Sequence, residues 1–204
     1  MFSESCSALT GQVQRGCRDP AKQGCVPLNM VAGSVALTGV PGGGPLEGSP
    51  AGGEYRMASP PDPLWGTDPV TVTVTGGSEA NAFPGYEQTI QPSPVIAVTA
   101  PSADSAGIVG RDLDVQWEAG GAAYVEITLQ VDRQGDTDTV VCLTRDDGCH
   151  AVPGGAIDWL TLNIAPTDRF KLRIARYDVT TKELDQRTGA EIKVVSRVEM
   201  TLPQ

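Results

Sequence analysis

The residues of this 204-residue chain best suited to chemistry gather in VVCLTRDDGCHAVP. Cys142 and Cys149 stand seven positions apart there, and His150, the one histidine, follows directly. Three chemistries fit those residue types. A zinc site would take both thiolates and the imidazole, but it needs a fourth ligand and favours Cys-x-x-Cys spacing; the stretch supplies neither. A redox pair would sit as Cys-x-x-Cys at a helix N-terminus, where the helix dipole lowers the thiol pKa. A disulfide asks only that two cysteines be brought close across a turn. Thr139–Leu143 reads as a strand, and Cys149–Val152 as the start of the next. Asp146-Asp147-Gly148 between them is turn chemistry, because glycine takes positive φ and aspartate tolerates it. The spacing therefore predicts a Cys142–Cys149 staple across a hairpin. A ring this small constrains the unfolded chain by about 2–2.5 kcal/mol. His150 is then a strand-edge residue rather than a catalyst.

The remaining cysteines, Cys6, Cys17 and Cys25, lie in a polar N-terminal segment with no clear period. Cys17 and Cys25 are candidates to close a small loop, which leaves Cys6 as a tether to a partner chain. Alternatively, Cys6 pairs with one of them or with the main body. The Ser-Glu-Ser before Cys6 is a poor match to the small apolar stretch that lipid attachment needs. Asp132, Asp136 and Asp138 in DRQGDTD are weak calcium candidates, since clustered carboxylates offer hard oxygen ligands. Their spacing is not that of an EF-hand, and a solvated hairpin tip accounts for them equally. Trp65, Tyr55 and Tyr86 are the aromatic candidates for stacking on sugar rings, against a role as loop anchors. GVPGGG and EAGG open no phosphate loop, and there is no Gly-x-Ser-x-Gly elbow. Among 25 acidic residues, nothing singles out a pair for glycoside hydrolysis. No cofactor is implied.

Composition narrows the class. A formal charge of −10 repels phosphate backbones and gives no polybasic anchor for anionic lipid. No nucleic acid is expected as a partner. No apolar run approaches the roughly 18 residues that a membrane helix requires. The first residues lack the basic and apolar regions of a secretory signal as written. Five cysteines against one histidine favour disulfides in an oxidising compartment. The expected location is thus secreted, outer-surface or periplasmic.

With 24 Gly and 16 Pro, the chain must fold as short elements divided by turns. SVALTGV at 34–40 is a strand candidate. The Gly/Pro-rich run 41–69 is a long connection with one brief strand at Glu54–Met57, and Trp65 pins it. VTVTV from residue 70 alternates, with Val70, Val72 and Val74 on one face. In NAFPGY, Phe83 and Tyr86 are expected anchors, and Val95–Thr99 forms a strand after a linker. Strict alternation then recurs. Leu113, Val115 and Trp117 face in, as do Val125, Ile127, Leu129 and Val131, then Phe170, Leu172 and Ile174. Ile192, Val194, Val198, Met200 and Leu202 close the series. One wet and one dry face per strand is the mark of antiparallel sheets. The fold class expected is all-β, an antiparallel immunoglobulin- or fibronectin-III-like sandwich behind a loop-rich β segment. A short helical turn around Ala156–Leu160, with Trp159, caps its end. The expected divisions are 1–30, the cysteine-bearing segment; 31–92, a loop-rich β region; and 93–204, the sandwich.

RDLDVQWEAGGAAYVEITLQ, followed by VVCLTRDDGCHAVPGGAIDWL, resembles a recurrent unit in secreted and lipid-anchored proteins of myxobacterial-type bacteria. Val115, Trp117, Gly120, Gly121, Cys142, Val152 and Pro153 stand at the places that carry the resemblance. It covers roughly residues 32–176. It implies a sandwich exposed outside the inner membrane and implies no reaction, since fold does not fix function. The expected function is a non-catalytic structural or protein-interaction subunit of an extracellular or cell-envelope assembly. The alternative is a glycan-binding or adhesion module assisted by calcium. A hydrolase is the third reading, and it would need two acids at catalytic separation in one pocket.

Overall fold

The computed structural model describes residues 5–10, 33–49, 54–57, 60, 62–66, 68–77, 83–102, 108–133, 136–162, 169–184 and 189–203. The early strands are β1 (Ser5–Thr10), β2 (Val35–Thr38), β3 (Gly44–Pro45), β4 (Glu47–Ser49), β5 (Glu54–Arg56), β6 (Val70–Val74) and β7 (Tyr86–Ile90). The later ones are β8 (Val98–Ala100), β9 (Leu113–Trp117), β10 (Tyr124–Arg133), β11 (Asp136–Thr144), β12 (Cys149–Val152), β13 (Phe170–Glu183) and β14 (Gly189–Leu202). Among the described residues one helix, α1 (Gly154–Thr161), lies between β12 and β13. The chain is all-β in character and folds as two units. One comprises Met1–Arg15, Val95–Val179 and Lys193–Gln204; the other comprises Gly16–Pro94 and Thr180–Ile192.

The first unit is built from two sheets. A five-stranded sheet runs β1-β11-β10-β13-β14, and a three-stranded sheet runs β12-β9-β8. Their inward residues form one core. Leu113, Val115 and Trp117 of β9 meet Val125, Ile127, Leu129 and Val131 of β10, and Phe170, Leu172 and Ile174 of β13. Val115, Val125, Ile127, Phe170, Leu172 and Ile174 are wholly buried. Each such side chain contributes about 1.5–3 kcal/mol relative to an exposed one. Ile157 and Leu160 bring α1 onto this core, with Trp159 half-buried against it. Pro153 at the helix start offers no side-chain acceptor. Asp112, just before β9, does so instead: its Oδ1 accepts from the Gly154 N–H at 2.7 Å.

The second unit holds a four-stranded sheet, β3-β2-β6-β7, and a separate β4-β5 hairpin. Valine and threonine alternate in β6 for a visible reason. Val70 and Val74 are buried with Ile90, while Thr71 shares a 2.8 Å hydrogen bond with Thr89 across the strands. Cross-strand hydroxyl pairs of this kind are a unit of sheet stabilisation.

Several expectations shift. Among the described residues of the long connection 41–69, three short strands form rather than one. The strand expected at Val95–Thr99 forms as Val98–Ala100. Part of the N-terminal segment, which shows no period in the sequence, is a strand: β1 pairs antiparallel along β11, from Ser5 opposite Leu143 to Thr10 opposite Asp138. Thr180–Ile192 groups with Gly16–Pro94 rather than with the rest of 93–204.

Candidate functional site

The strongest polar constellation in the first unit lies inside it. Arg176 continues the inward row of Phe170, Leu172 and Ile174 along β13 and is 2% exposed. Opposite it stands Asp146, from the turn after β11, 9% exposed. Its Oδ2 lies 2.9 Å from Arg176 Nε, and its Oδ1 accepts from Arg176 Nη2 at 3.1 Å. Trp117 Nε1 donates to Oδ1 at 2.8 Å. The N–H groups of Gly120 and Ala122 donate to Oδ2 at 3.0 and 2.9 Å. Arg176 Nη2 also donates to the Glu118 carbonyl. A Cβ on Gly120 would stand 2.5 Å from Arg176 Cζ. Glycine is therefore what lets the guanidinium lie against the chain.

A carboxylate has roughly four acceptor positions, and Asp146 has all of them engaged. Burial pushes its pKa up, but the Ala122 N–H, the Trp117 indole and the Arg176 guanidinium outweigh that and hold it below the usual carboxylate range. A carboxylate so occupied and so acidic is suited to fixing structure rather than to moving protons. The network joins β9, β13, the Glu118–Ala122 turn and the turn after β11. In the sequence Asp146 reads as turn chemistry alone. An arginine at an inward position of an alternating strand was the signal for it, because a buried guanidinium requires a carboxylate.

The outer face of β10 and β13 carries a second cluster. Tyr124 stands opposite Tyr177, and their rings stack with centroids 4.7 Å apart and planes 13° apart. Glu126 Oε1 receives Arg173 Nη2 at 3.3 Å, and Tyr177 donates to the same oxygen at 3.5 Å. Burial, then the negative charge of Glu126, raise the Tyr177 pKa, and Arg173 opposes them. Alternation places this face in water, yet Thr128 is 3% and Ala175 2% exposed. At Thr128, the Arg173 guanidinium and the Glu126 carboxylate both reach the hydroxyl at 3.3 Å. The result is a part-exposed, ordered patch of two tyrosines, an arginine and a glutamate.

The expected Cys142–Cys149 staple does not form. Cys149 is a free, exposed thiol, whereas Cys142 is wholly buried in the core. The turn at Asp146–Gly148 does not make a hairpin. It carries the chain from β11 in one sheet to β12 in the other, with Gly148 at φ +102° as its chemistry predicts. The two cysteines thus end on different sheets. His150 is half-buried in β12, opposite Val115. Cys6 lies in β1, directly opposite Cys142; Cys17 and Cys25 lie outside the described residues.

Asp138 is buried at 9% exposure, opposite Val131. Asp132 and Asp136 flank the β10–β11 turn, and their side chains lie outside the description. Among the described residues no cluster of metal-ligating groups occurs. The sugar-stacking candidates are tied down within the second unit. Tyr55 donates to the Gly33 carbonyl at 2.8 Å, and Trp65 Nε1 to the Ser93 carbonyl at 3.4 Å. Tyr86 packs edge-on against Phe83 at 5.9 Å, and burial raises its pKa. All three are half-buried. A cleft of about 300 Å³ opens beside Pro101, Ile108, Arg111, Asp112 and Asp114. Asp112 there is already engaged by α1. No helix among the described residues is long and apolar enough to cross a membrane. The chain matches no family model, no curated protein and no solved structure.

Proposed function

We propose that the protein is a non-catalytic interaction subunit of an extracellular or cell-envelope assembly, and that it meets its partner with the outer face of β10 and β13. The observation that carries this reading is the ordered patch of Tyr124, Tyr177, Arg173 and Glu126. Tyrosine and arginine are the residues most enriched where proteins bind one another. Here the cross-strand stack and the ion pair hold them in place before binding, which lowers the ordering cost of association. The acidic charge of the chain favours a partner with a basic contact surface. We read the underlying unit as an immunoglobulin- or fibronectin-III-like sandwich. In support, the chain passes from β11 to β12, which returns to pair with β9 while β10 pairs with β13.

The test is affinity purification from the native envelope with the wild-type chain and with Arg173→Glu and Tyr177→Ala. A stoichiometric partner captured by the wild type and lost with both variants supports the reading. Capture unchanged in both variants overturns it, and polysaccharide in place of protein transfers the function to adhesion.

A further inference from the structure

We infer that Cys6 and Cys142 form a disulfide that latches the strand β1 onto the edge of β11. Cys142 is disulfide-bonded, and Cys149 is free, so its partner is Cys6, Cys17 or Cys25. Cys6 is the residue directly opposite it in the antiparallel β1–β11 pair. Opposed residues in such a pair have Cα atoms about 4.5–5.5 Å apart, inside the roughly 4.4–6.8 Å that a disulfide spans. The sulfur of Cys142 lies in the core, sealed from solvent.

The latch explains why a six-residue strand stays at the margin of a five-stranded sheet, with β11 as its one strand neighbour among the described residues. It also has a consequence for the sheet. An exposed edge strand is a template for pairing with other chains; β1 occupies the β11 edge, and the covalent bond keeps it occupied. Formation proceeds by exchange with a donor disulfide, a protein dithiol oxidase or a glutathione-type disulfide. One cysteine thiolate attacks the donor, releasing one donor thiol. The other cysteine then attacks the mixed disulfide, releasing the second. Two cysteine thiols are oxidised and one donor disulfide is reduced to two thiols. Reduction by a dithiol runs the same steps backwards and frees the edge.

Trypsin separates all five cysteines, because cleavage after Arg15, Arg18, Arg133 and Arg145 leaves each in its own peptide. The full chain, folded in the presence of a glutathione disulfide, is alkylated without reduction and digested. The expected result is a linked pair, residues 1–15 with 134–145, that separates on reduction, and an alkylated Cys149 peptide. Cys142 linked to Cys17 or Cys25, or alkylated without reduction, overturns the assignment. Hydrogen exchange of Cys6→Ser supplies the second readout. The backbone of residues 5–10 loses its protection while β10 and β13 keep theirs. Protection of 5–10 equal to that of the wild type overturns the latch.

Discussion

Removing the Asp146 carboxylate should be among the most damaging single changes to the first unit. Asp146→Ala leaves the guanidinium of Arg176, 2% exposed, facing an apolar methyl. It also strips the acceptor from the Trp117 indole and from two backbone N–H groups. Removing one partner of a buried ion pair costs about 3–5 kcal/mol, and the orphaned indole N–H adds to that. Against a typical total of about 5–15 kcal/mol, the loss should lower a urea midpoint by about 2 M, taking a slope of roughly 2 kcal/mol/M. The assay is urea unfolding by tryptophan fluorescence in a Trp65→Phe background, so that Trp117 and Trp159 of the first unit report. Asp146→Asn with Arg176→Met should recover much of the loss, because the double change removes the buried charge along with its partner. The folded-state pKa of Asp146 is depressed, so its contribution is fully present above the unfolded value of about 3.9. That contribution is lost as pH falls through the folded value. The wild type should therefore lose stability more steeply below about pH 4 than Asp146→Asn. A cost under about 1 kcal/mol for Asp146→Ala, or a double variant as weak as the two singles summed, would refute the reasoning.

Gly120→Ala should destabilise the same unit by about 1–3 kcal/mol, because its Cβ would sit 2.5 Å from Arg176 Cζ; the same urea assay reads it. Asp112→Ala removes the acceptor for the Gly154 N–H. It should cost about 1 kcal/mol, with faster amide exchange confined to the first turn of α1. Burial and Glu126 raise the Tyr177 pKa, so stability should hold below the unfolded value of about 10 and decline as pH rises through the folded one. Tyr177→Phe should flatten that alkaline decline, followed by tyrosinate absorbance alongside unfolding.

The inward rows of β9, β10 and the first part of β13 are legible because period-two alternation is a local property, and each strand displays it alone. Pairing is not local. Nothing within DDG distinguishes a turn that closes a hairpin from one that crosses between sheets, so the local sequence points to a Cys142–Cys149 staple that the crossing between sheets excludes. SCSALT is too short and polar to announce β1, which becomes a strand only because β11 offers it an edge. Arg176, at an inward position of its strand, signals that a carboxylate must meet it, but Asp146 lies 30 residues away and nothing in its own window marks it as that partner. The Tyr124–Tyr177 stack was hidden for the same reason, since both tyrosines fall at outward positions of separate strands.

The most direct test of the proposed interaction face is hydroxyl-radical footprinting of the chain, alone and within its native assembly. The account predicts that Tyr124 and Tyr177 lose reactivity in the assembly while half-buried Tyr55 and Trp65 keep theirs. Tyr124 and Tyr177 as reactive in the assembly as in isolation, with protection appearing on another surface, would contradict it.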